Sequence, residues 1–467
     1  MPDQERRGHP YIPNSVPQVK AEMLAAIGAG SIEELYADIP ERLRFREPLD
    51  IPEGIVSEAL LRRHVEGLLA RNTSCAEVTS FLGAGCCHHY VPAICDEISR
   101  RSEFLTAYAG EPYEDFGRFQ ALWEYQGLMA ELLDMDICNV PTYDWFQAAS
   151  TSLRMAGRYT GRSRALVAGN IGPDRLRAIR NYCEPVMQIE TLGADPKTGR
   201  MDLADLQARL DGAVAAVYFE NPGYLGFLET AGARIAELAH GAGALLVVGA
   251  DPGSLGVLTP PSQYGADLVC GDIQALGNHM SMGGGMAGFI ATRDEEKLVM
   301  EFPSRLFGIA GTEVPGEYGF GDVAYERTSF AHREQGKEFI GTAAALHGIT
   351  AAVYLALMGP AGMRDLGVHL TQKAQYLARR LDAVPGVRAP GLEGAFFKEF
   401  VVDFNGTGRT VAAINQALLA QGIFGGRDLS QEFPRLGQSA LYCVTEMVAK
   451  EEIDRFVTVL TTILGGK

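Results

Sequence analysis

A chain of 467 residues that is 47% hydrophobic and 21% charged, with 54 Gly, 23 Pro and 2 Trp, has the composition of a globular protein rather than a fibrous or disordered one, and its length predicts two or three domains. Its 41 Lys and Arg against 58 Asp and Glu leave a net charge of −17, a field that repels phosphate backbones and anionic membrane surfaces and so argues against nucleic-acid and membrane partners. The eight cysteines follow no regular framework, the start MPDQERRGHPYIPNS lacks a basic-then-apolar signal, and no uninterrupted apolar stretch approaches about 20 residues, so reduced thiols and a cytoplasmic protein are expected.

Residues 1–80 read as an extended arm with short helices: YIPNS, then VKAEMLAAIG, then SIEELYADIP, where Ser31 and Glu34 fit a capping box. This segment has too little apolar area to fold alone and is expected to wrap around the main body or a partner. A large α/β domain over 81–345 follows. Within it, TYDWFQAASTSLRMAGRY (Thr142 to Tyr159) reads as a helix. From about residue 160, β-rich runs (RALVAG, VMQIETL, AVAAVYFEN, ALLVVGAD, DLVCGD, GFIATR) alternate with DRLRAIRNYCE, DLADLQARL and TAGARIAELAHGAG, whose Leu, Ile and Ala recur at helical spacing. Such alternation predicts a mostly parallel sheet covered on both faces. Residues 346–467 read as a smaller α+β domain: two helices, then VRAP, KEFVVDF, a helix, LYCVTE and a closing helix. No internal repeat or low-complexity tract is evident.

Ligands of such sheets sit beyond the carboxyl ends of the strands, which directs attention to Asn221, Asp251 and Gly271 to Gly285. Asp251 ends ALLVVGAD. In sheet enzymes that use pyridoxal phosphate, a carboxylate there accepts the pyridine N–H, although a strand-end Asp also serves simply to satisfy backbone donors. The Schiff-base lysine is expected some 20–30 residues on, but Gln274, 23 residues after Asp251, carries no amine, and the next lysine, Lys297, lies in the charged helical context RDEEKLV. Gly283 to Gly285 either cradle a phosphate or make a tight turn before GFIATR. Neither G-x-S-x-G nor H-E-x-x-H occurs, which demotes triad hydrolysis and zinc proteolysis.

YIPN, SFLGAG (Ser80 to Gly85) with HHYVPA, RSEF (Arg101 to Phe104), EYQ (Glu124 to Gln126), ADP (Ala250 to Pro252), YGAD (Tyr264 to Asp267), SMGGG and AAVYLALMGPAGMRDL together resemble subunit 1 of glycine dehydrogenase (decarboxylating), the α chain of the split glycine-cleavage P-protein. The similarity covers most of the chain in the family's order. It implies an aspartate-aminotransferase-like (PLP-transferase) fold. It also implies an oligomer with a homologous lysine-bearing β subunit, in which glycine is decarboxylated with pyridoxal phosphate and the aminomethyl group passes to a lipoyl carrier protein. On this reading the chain is the lysine-less subunit of an oxidoreductase, as the Gln274 observation independently suggests. The catalytic candidates are His89, Tyr90, Arg333 and Glu334, with Tyr108 also considered; the cofactor-binding candidates are Asn221, Asp251, Gln274 and Gly284. Arg333 either grips a carboxylate or forms a structural ion pair.

The departures from the family cluster in loops. GAGAYDHYIPA has become GAGCCHHYVPA, the loop Ala109 to Gly117 is altered, REKATSNICT has become REQGKEFIGT (Arg333 to Thr342), GNPLSFGG has become GNHMSMGG, and YDGATALAEA has become YDWFQAASTS. Trp145 and Phe146 thus replace small residues where a helix N-terminus of this fold receives the cofactor phosphate, and core packing is the favoured use of these rings. Cys86, Cys87 and His88, beside His89 and with His279, offer ligands for a borderline metal such as Zn²⁺; the competing use is a loop with buried thiols and hydrogen-bonded imidazoles. The alternatives to an enzyme subunit are therefore a stand-alone paralogue that binds a metal or small ligand here, and a non-catalytic scaffold; a homodimer is compatible with each.

Overall fold

The computed structural model describes residues 11–12, 15–47, 49–105, 116–284, 286–329, 331–338, 340 and 343–465. Tyr108, most of the loop from Ala109 to Gly117, and Gly285 lie outside them. The chain divides into two units, Met1–Asn72 and Thr73–Lys467.

The first unit holds helices α1 (Pro17–Ala26) and α2 (Glu58–Leu69) and two 3-10 turns, Ile32–Tyr36 and Glu41–Leu43. None of these four elements has a buried residue. Arg46 holds Glu41 at 2.7 Å and Arg44 reaches Glu33 at 3.4 Å, exposed pairs that add little stability. The expected capping box does not form. Ser31 makes no cap, and Glu34 instead accepts the Gly30 N–H at 3.1 Å, because the five-residue turn is 3-10 and closes one residue earlier.

The second unit runs β1 (Thr79–Ser80), α3 (Ala93–Ser99), α4 (Phe116–Leu133), β2 (Ile137–Cys138), α5 (Trp145–Thr160), β3 (Arg164–Ala168), α6 (Pro173–Cys183), β4 (Gln188–Leu192), α7 (Leu203–Arg209), β5 (Val214–Glu220), α8 (Gly232–Gly241), β6 (Leu245–Gly249), β7 (Leu268–Asp272), β8 (Gly288–Thr292), α9 (Glu296–Val299), β9 (Phe307–Gly311) and β10 (Tyr318–Asp322). It then continues through α10 (Ala345–Asp382), β11 (Glu399–Asp403), α11 (Val411–Leu419), β12 (Ile423–Phe424), β13 (Arg427–Asp428), β14 (Ser439–Cys443) and α12 (Lys450–Gly465). A seven-stranded sheet has the order β2-β8-β7-β6-β5-β3-β4. Strands β3 to β7 are mutually parallel; β8 pairs antiparallel with β7 and with β2. Strand β5, VAAVYFE, is buried at every residue, which is why its first six residues read as one apolar run. Two apolar clusters cover the faces: Leu166, Val217, Leu246 and Val248 lie in one, and Val167, Ala216, Val247 and Leu268 in the other. Helix α5 starts on Asp144, whose carboxylate accepts the Gln147 N–H at 2.7 Å, and stops on Gly161 at φ +68°.

The two helices expected after residue 345 form one 38-residue element, α10, broken at Gly359, whose φ of +58° precedes Pro360. An 18-residue window of α10 has mean hydropathy 1.3, so by length and composition this helix is apolar enough to cross a membrane. Its Ala351, Tyr354, Leu355 and Met363 pack in the sheet's core, and Ala374, Leu377 and Leu381 in the core of the C-terminal part. There β11, β14 and β13 form an antiparallel sheet, and β1 adds to β12. This brings the segment after β1 against β14.

Candidate functional site

Beyond the carboxyl ends of β5, β6 and β7 lies a cavity of 60 Å³, lined by Cys87, Trp145, Arg175, Glu220, Asp251, Asp272, Gln274, Lys398 and Glu399, among others. Its walls come from five stretches: the loop after β1, the starts of α5 and α6, the strand ends with the segments that follow them, and the head of β11. An outer chamber of 320 Å³ shares Trp145, Arg175 and Asp272 and adds Cys86, Phe146, Gly283 and Gly284.

The inner cavity is walled by ionisable groups. Lys398 Nζ lies 2.6 Å from Asp251 Oδ2 and 3.0 Å from His89 Nε2. His89 Nδ1 faces Glu446 Oε2 at 2.9 Å, so the imidazole donates through Nδ1 and accepts at Nε2. Arg175 contacts Glu220 at 2.6 Å, and Tyr218 donates to the same carboxylate at 3.0 Å. Cys443 donates to Cys87 across 3.6 Å.

Burial and pairing set the charges. Burial opposes ionisation of Asp251, but the Lys398 ammonium outweighs it and holds the carboxyl below its usual range. Burial likewise disfavours the Lys398 charge, and Asp251 and Cys87 hold it well above the usual range nonetheless. Asp272 forms no ion pair among the described residues: burial pushes it up to about 7, against the Gln274 N–H that it accepts at 3.0 Å and the nearby Arg175 charge. Burial also pushes Glu399 up to about 8. The Cys443 thiol, aided by Lys398 and His89, holds Cys87 well below the thiol range in spite of burial. Glu446 is held down at about 2, since hydrogen bonds from His89 and the Tyr90 N–H overcome its burial.

The sequence-derived candidates fall into separate places. Asp251, Gln274 and Cys87 line the inner cavity, with His89 directly behind Lys398. Gly284 lines the outer chamber. Asn221 ends β5 but turns to the following loop, its Oδ1 accepting the Glu229 N–H at 3.1 Å. Tyr90 is exposed and contributes only its backbone N–H, to Glu446 at 2.6 Å. Arg333 and Glu334 stand exposed in a 3-10 turn and line neither cavity.

The proposed metal quartet also needs correction. Cys86 Sγ points to the Met280 carbonyl at 3.9 Å, His88 offers its carbonyl to Thr445, and His279 pairs with Asp96 at 2.9 Å, so consecutive side chains diverge. Among the described residues, the His, Cys and acid side chains whose donor atoms converge are Cys87, Glu399 and Cys443. Lys297, the next lysine after Gln274, does not line the cavity; its ammonium lies over the Tyr159 ring. Lys398, Glu399, Arg175, Cys443 and Glu446 went unrecognised. The available signal was the pair Lys398-Glu399 at the head of the otherwise apolar run FVV.

Pyridoxal phosphate does not fit this chain's own cavity. Gln274 takes the place of the lysine, and its side chain is engaged with the Cys87 N–H at 3.2 Å and the Asn278 carbonyl at 3.1 Å. Asp251, the acceptor for a pyridine N–H, already holds an ammonium. The Trp145 indole donates to Tyr218 at 3.1 Å, lies 3.9 Å from the Arg175 guanidinium, and reaches so far over the end of β6 that a Cβ on Gly249 would meet it at 2.9 Å. The inner cavity's 60 Å³ is far below the roughly 300 Å³ at which small-molecule sites begin, and the outer chamber of 320 Å³ is lined by neither Asp251 nor Gln274.

The sequence model of the glycine cleavage system P-protein matches residues 9–460. The chain is 37% identical over 465 residues to the probable glycine dehydrogenase (decarboxylating) subunit 1 of Staphylothermus marinus, covering 98% of each chain. It is 38% identical to the protein of the same name from Carboxydothermus hydrogenoformans, over 96% of this chain and 99% of the relative. Among solved structures it is similar to the inhibitor-bound glycine decarboxylase (P-protein) of the glycine cleavage system, with 34% identity, 98% and 100% coverage and a TM-score of 0.84. Sphingosine-1-phosphate lyase of Burkholderia pseudomallei, at 14% identity, 91% and 94% coverage and a TM-score of 0.63, shares the fold. The architecture is thus the aspartate-aminotransferase-like (PLP-transferase) α/β fold, and with a match along nearly its whole length this chain belongs to the glycine cleavage system P-protein family.

Proposed function

We propose that this chain is the lysine-less subunit of a glycine dehydrogenase (decarboxylating). In this reading it pairs with a homologous subunit whose lysine holds pyridoxal phosphate, and the assembly decarboxylates glycine and passes the aminomethyl group to a lipoyl carrier protein. Pyridoxal phosphate on the partner supplies the electron sink for loss of the glycine carboxyl. The observation that carries the reading is the Lys398–Asp251 pair at 2.6 Å, together with Gln274 in place of an amine: a cofactor site of the family's fold with its ring acceptor already neutralised. Asp251, His89 and Glu446 then serve to hold a charged cavity wall. The free cysteines support a reducing compartment such as the cytoplasm.

The test is to purify the chain alone and with its lysine-bearing partner, adding pyridoxal phosphate and an oxidised lipoyl carrier protein to each. Alone, the chain should show no reducible aldimine absorbance and release no labelled CO₂ from carboxyl-labelled glycine; the pair should do both. An aldimine on the isolated chain, or a partner whose turnover ignores this chain, would overturn the reading.

A further inference from the structure

Strands β11 and β14 pair antiparallel with Glu399 directly across from Cys443, so both side chains rise from the same face of the small sheet. The segment after β1 runs alongside: the Cys443 N–H donates to the Phe81 carbonyl at 2.9 Å. Gly83 then passes so close that a Cβ there would lie 2.2 Å from Glu399 Oε1 and 2.6 Å from the Cys443 Cβ. Only glycine permits this approach, and the approach carries Cys87 onto the cross-strand pair.

The result is a compact donor set. The two sulfurs are 3.6 Å apart, and one donor atom from each of Cys87, Glu399 and Cys443 lies within 4.8 Å of the others. Two sulfurs each about 2.3 Å from a tetrahedral zinc ion sit about 3.8 Å apart, so the thiols already stand at nearly the separation that a shared ion requires. The set is also braced. The Ala84 N–H holds Glu399 Oε1 at 2.7 Å, and Gln274 holds the Cys87 backbone at 3.2 Å. Lys398 is neutralised by Asp251, and the His89 ring is tied to Glu446 through Nδ1, so the neighbouring ammonium has its own counter-charge. Cys87 and Glu399 line the inner cavity, and its 60 Å³ has room for a water, whose own volume is about 30 Å³.

We propose that Cys87, Cys443 and Glu399 form a binding site for a thiophilic divalent cation of the Zn²⁺ class, with a water from the inner cavity as fourth ligand. Two thiolates and a carboxylate suit such an ion, and a fourth position open to a cavity is the arrangement in which zinc stays accessible to small molecules.

The experiment uses the full-length chain, reduced, loaded with Zn²⁺ and dialysed, with metal measured per chain. In parallel, Co²⁺ is added to the reduced apoprotein and its absorption recorded. One zinc per chain is expected, together with sulfur-to-cobalt charge-transfer absorption. Cys87→Ser and Cys443→Ser should each abolish both signals, Glu399→Gln should weaken binding at least about tenfold, and Cys86→Ser should change neither. Because the cobalt spectrum needs no variant, a variant that fails to fold does not shield the proposal. Three results would overturn it: no retained metal while the thiols are reduced, the same metal content in Cys87→Ser, or a Cys87–Cys443 disulfide that forms equally in excess Zn²⁺.

Discussion

The sheet's interior and the cavity beyond its carboxyl edge are held in opposite ways. Along β6 and the first half of β5 the side chains are apolar and pack on both faces, and their burial is favourable. At the strand ends Asp251 and Asp272, and at the head of β11 Lys398 and Glu399, are withdrawn from water at a cost, offset where a partner of opposite charge stands within hydrogen-bond reach. The interior therefore depends on shape, and the edge on charge pairing. An edge of this kind lowers stability for the sake of a site.

The largest effect should come from cutting one pair. Lys398→Met leaves Asp251 buried without a counter-charge and should cost about 3–5 kcal/mol in urea unfolding, most of it recovered in the double variant with Asp251→Asn. Failure of the double variant to recover would show that the two groups are not coupled. In the interior, Leu246→Ala, in β6, should cost about 3 kcal/mol through the cavity it leaves, equally at pH 5 and pH 8.

Asp272 sharpens the contrast through pH. Its folded value of about 7 lies above the unfolded value near 3.9, so its favourable contribution is complete below about pH 4 and is lost as pH rises through 7. Asp272→Asn should flatten that slope and raise stability at pH 8 by about 2 kcal/mol; a slope unchanged in the variant would assign it to another group. The smallest effect belongs to the helix that borders both regions. Asp144→Ala removes the α5 cap and should cost about 1 kcal/mol, read as a shift in urea midpoint without a change in slope.

The same contrast explains what could be read from the sequence. Strands β3 to β8 were legible because two-sided burial writes itself as short apolar runs, and Asp251 and Gln274 were legible because strand ends in such sheets are where ligands go. His89 and Cys87 stood out as a chemically unusual loop. Their partners did not: Lys398 lies 309 residues from His89, and Cys443 lies 356 from Cys87. Contacts made by strand pairing across the whole chain leave no local pattern, and a lone Lys-Glu before FVV resembles the solvated start of any strand. The Ser31/Glu34 pattern misled for the reverse reason, since its local signal was present but the turn was too short to use it. Arg333 and Glu334 were chosen by resemblance alone, and nothing in their local sequence tied them to the strand ends.

The Lys398–Asp251 pair bears on how such a chain changes over time. In this background Gln274→Lys would set a second ammonium in a 60 Å³ cavity where Lys398 already occupies Asp251 and Asp272 is left to receive the new charge. Replacing Lys398 as well would free Asp251. The cost of changing either position therefore depends on what stands at the other.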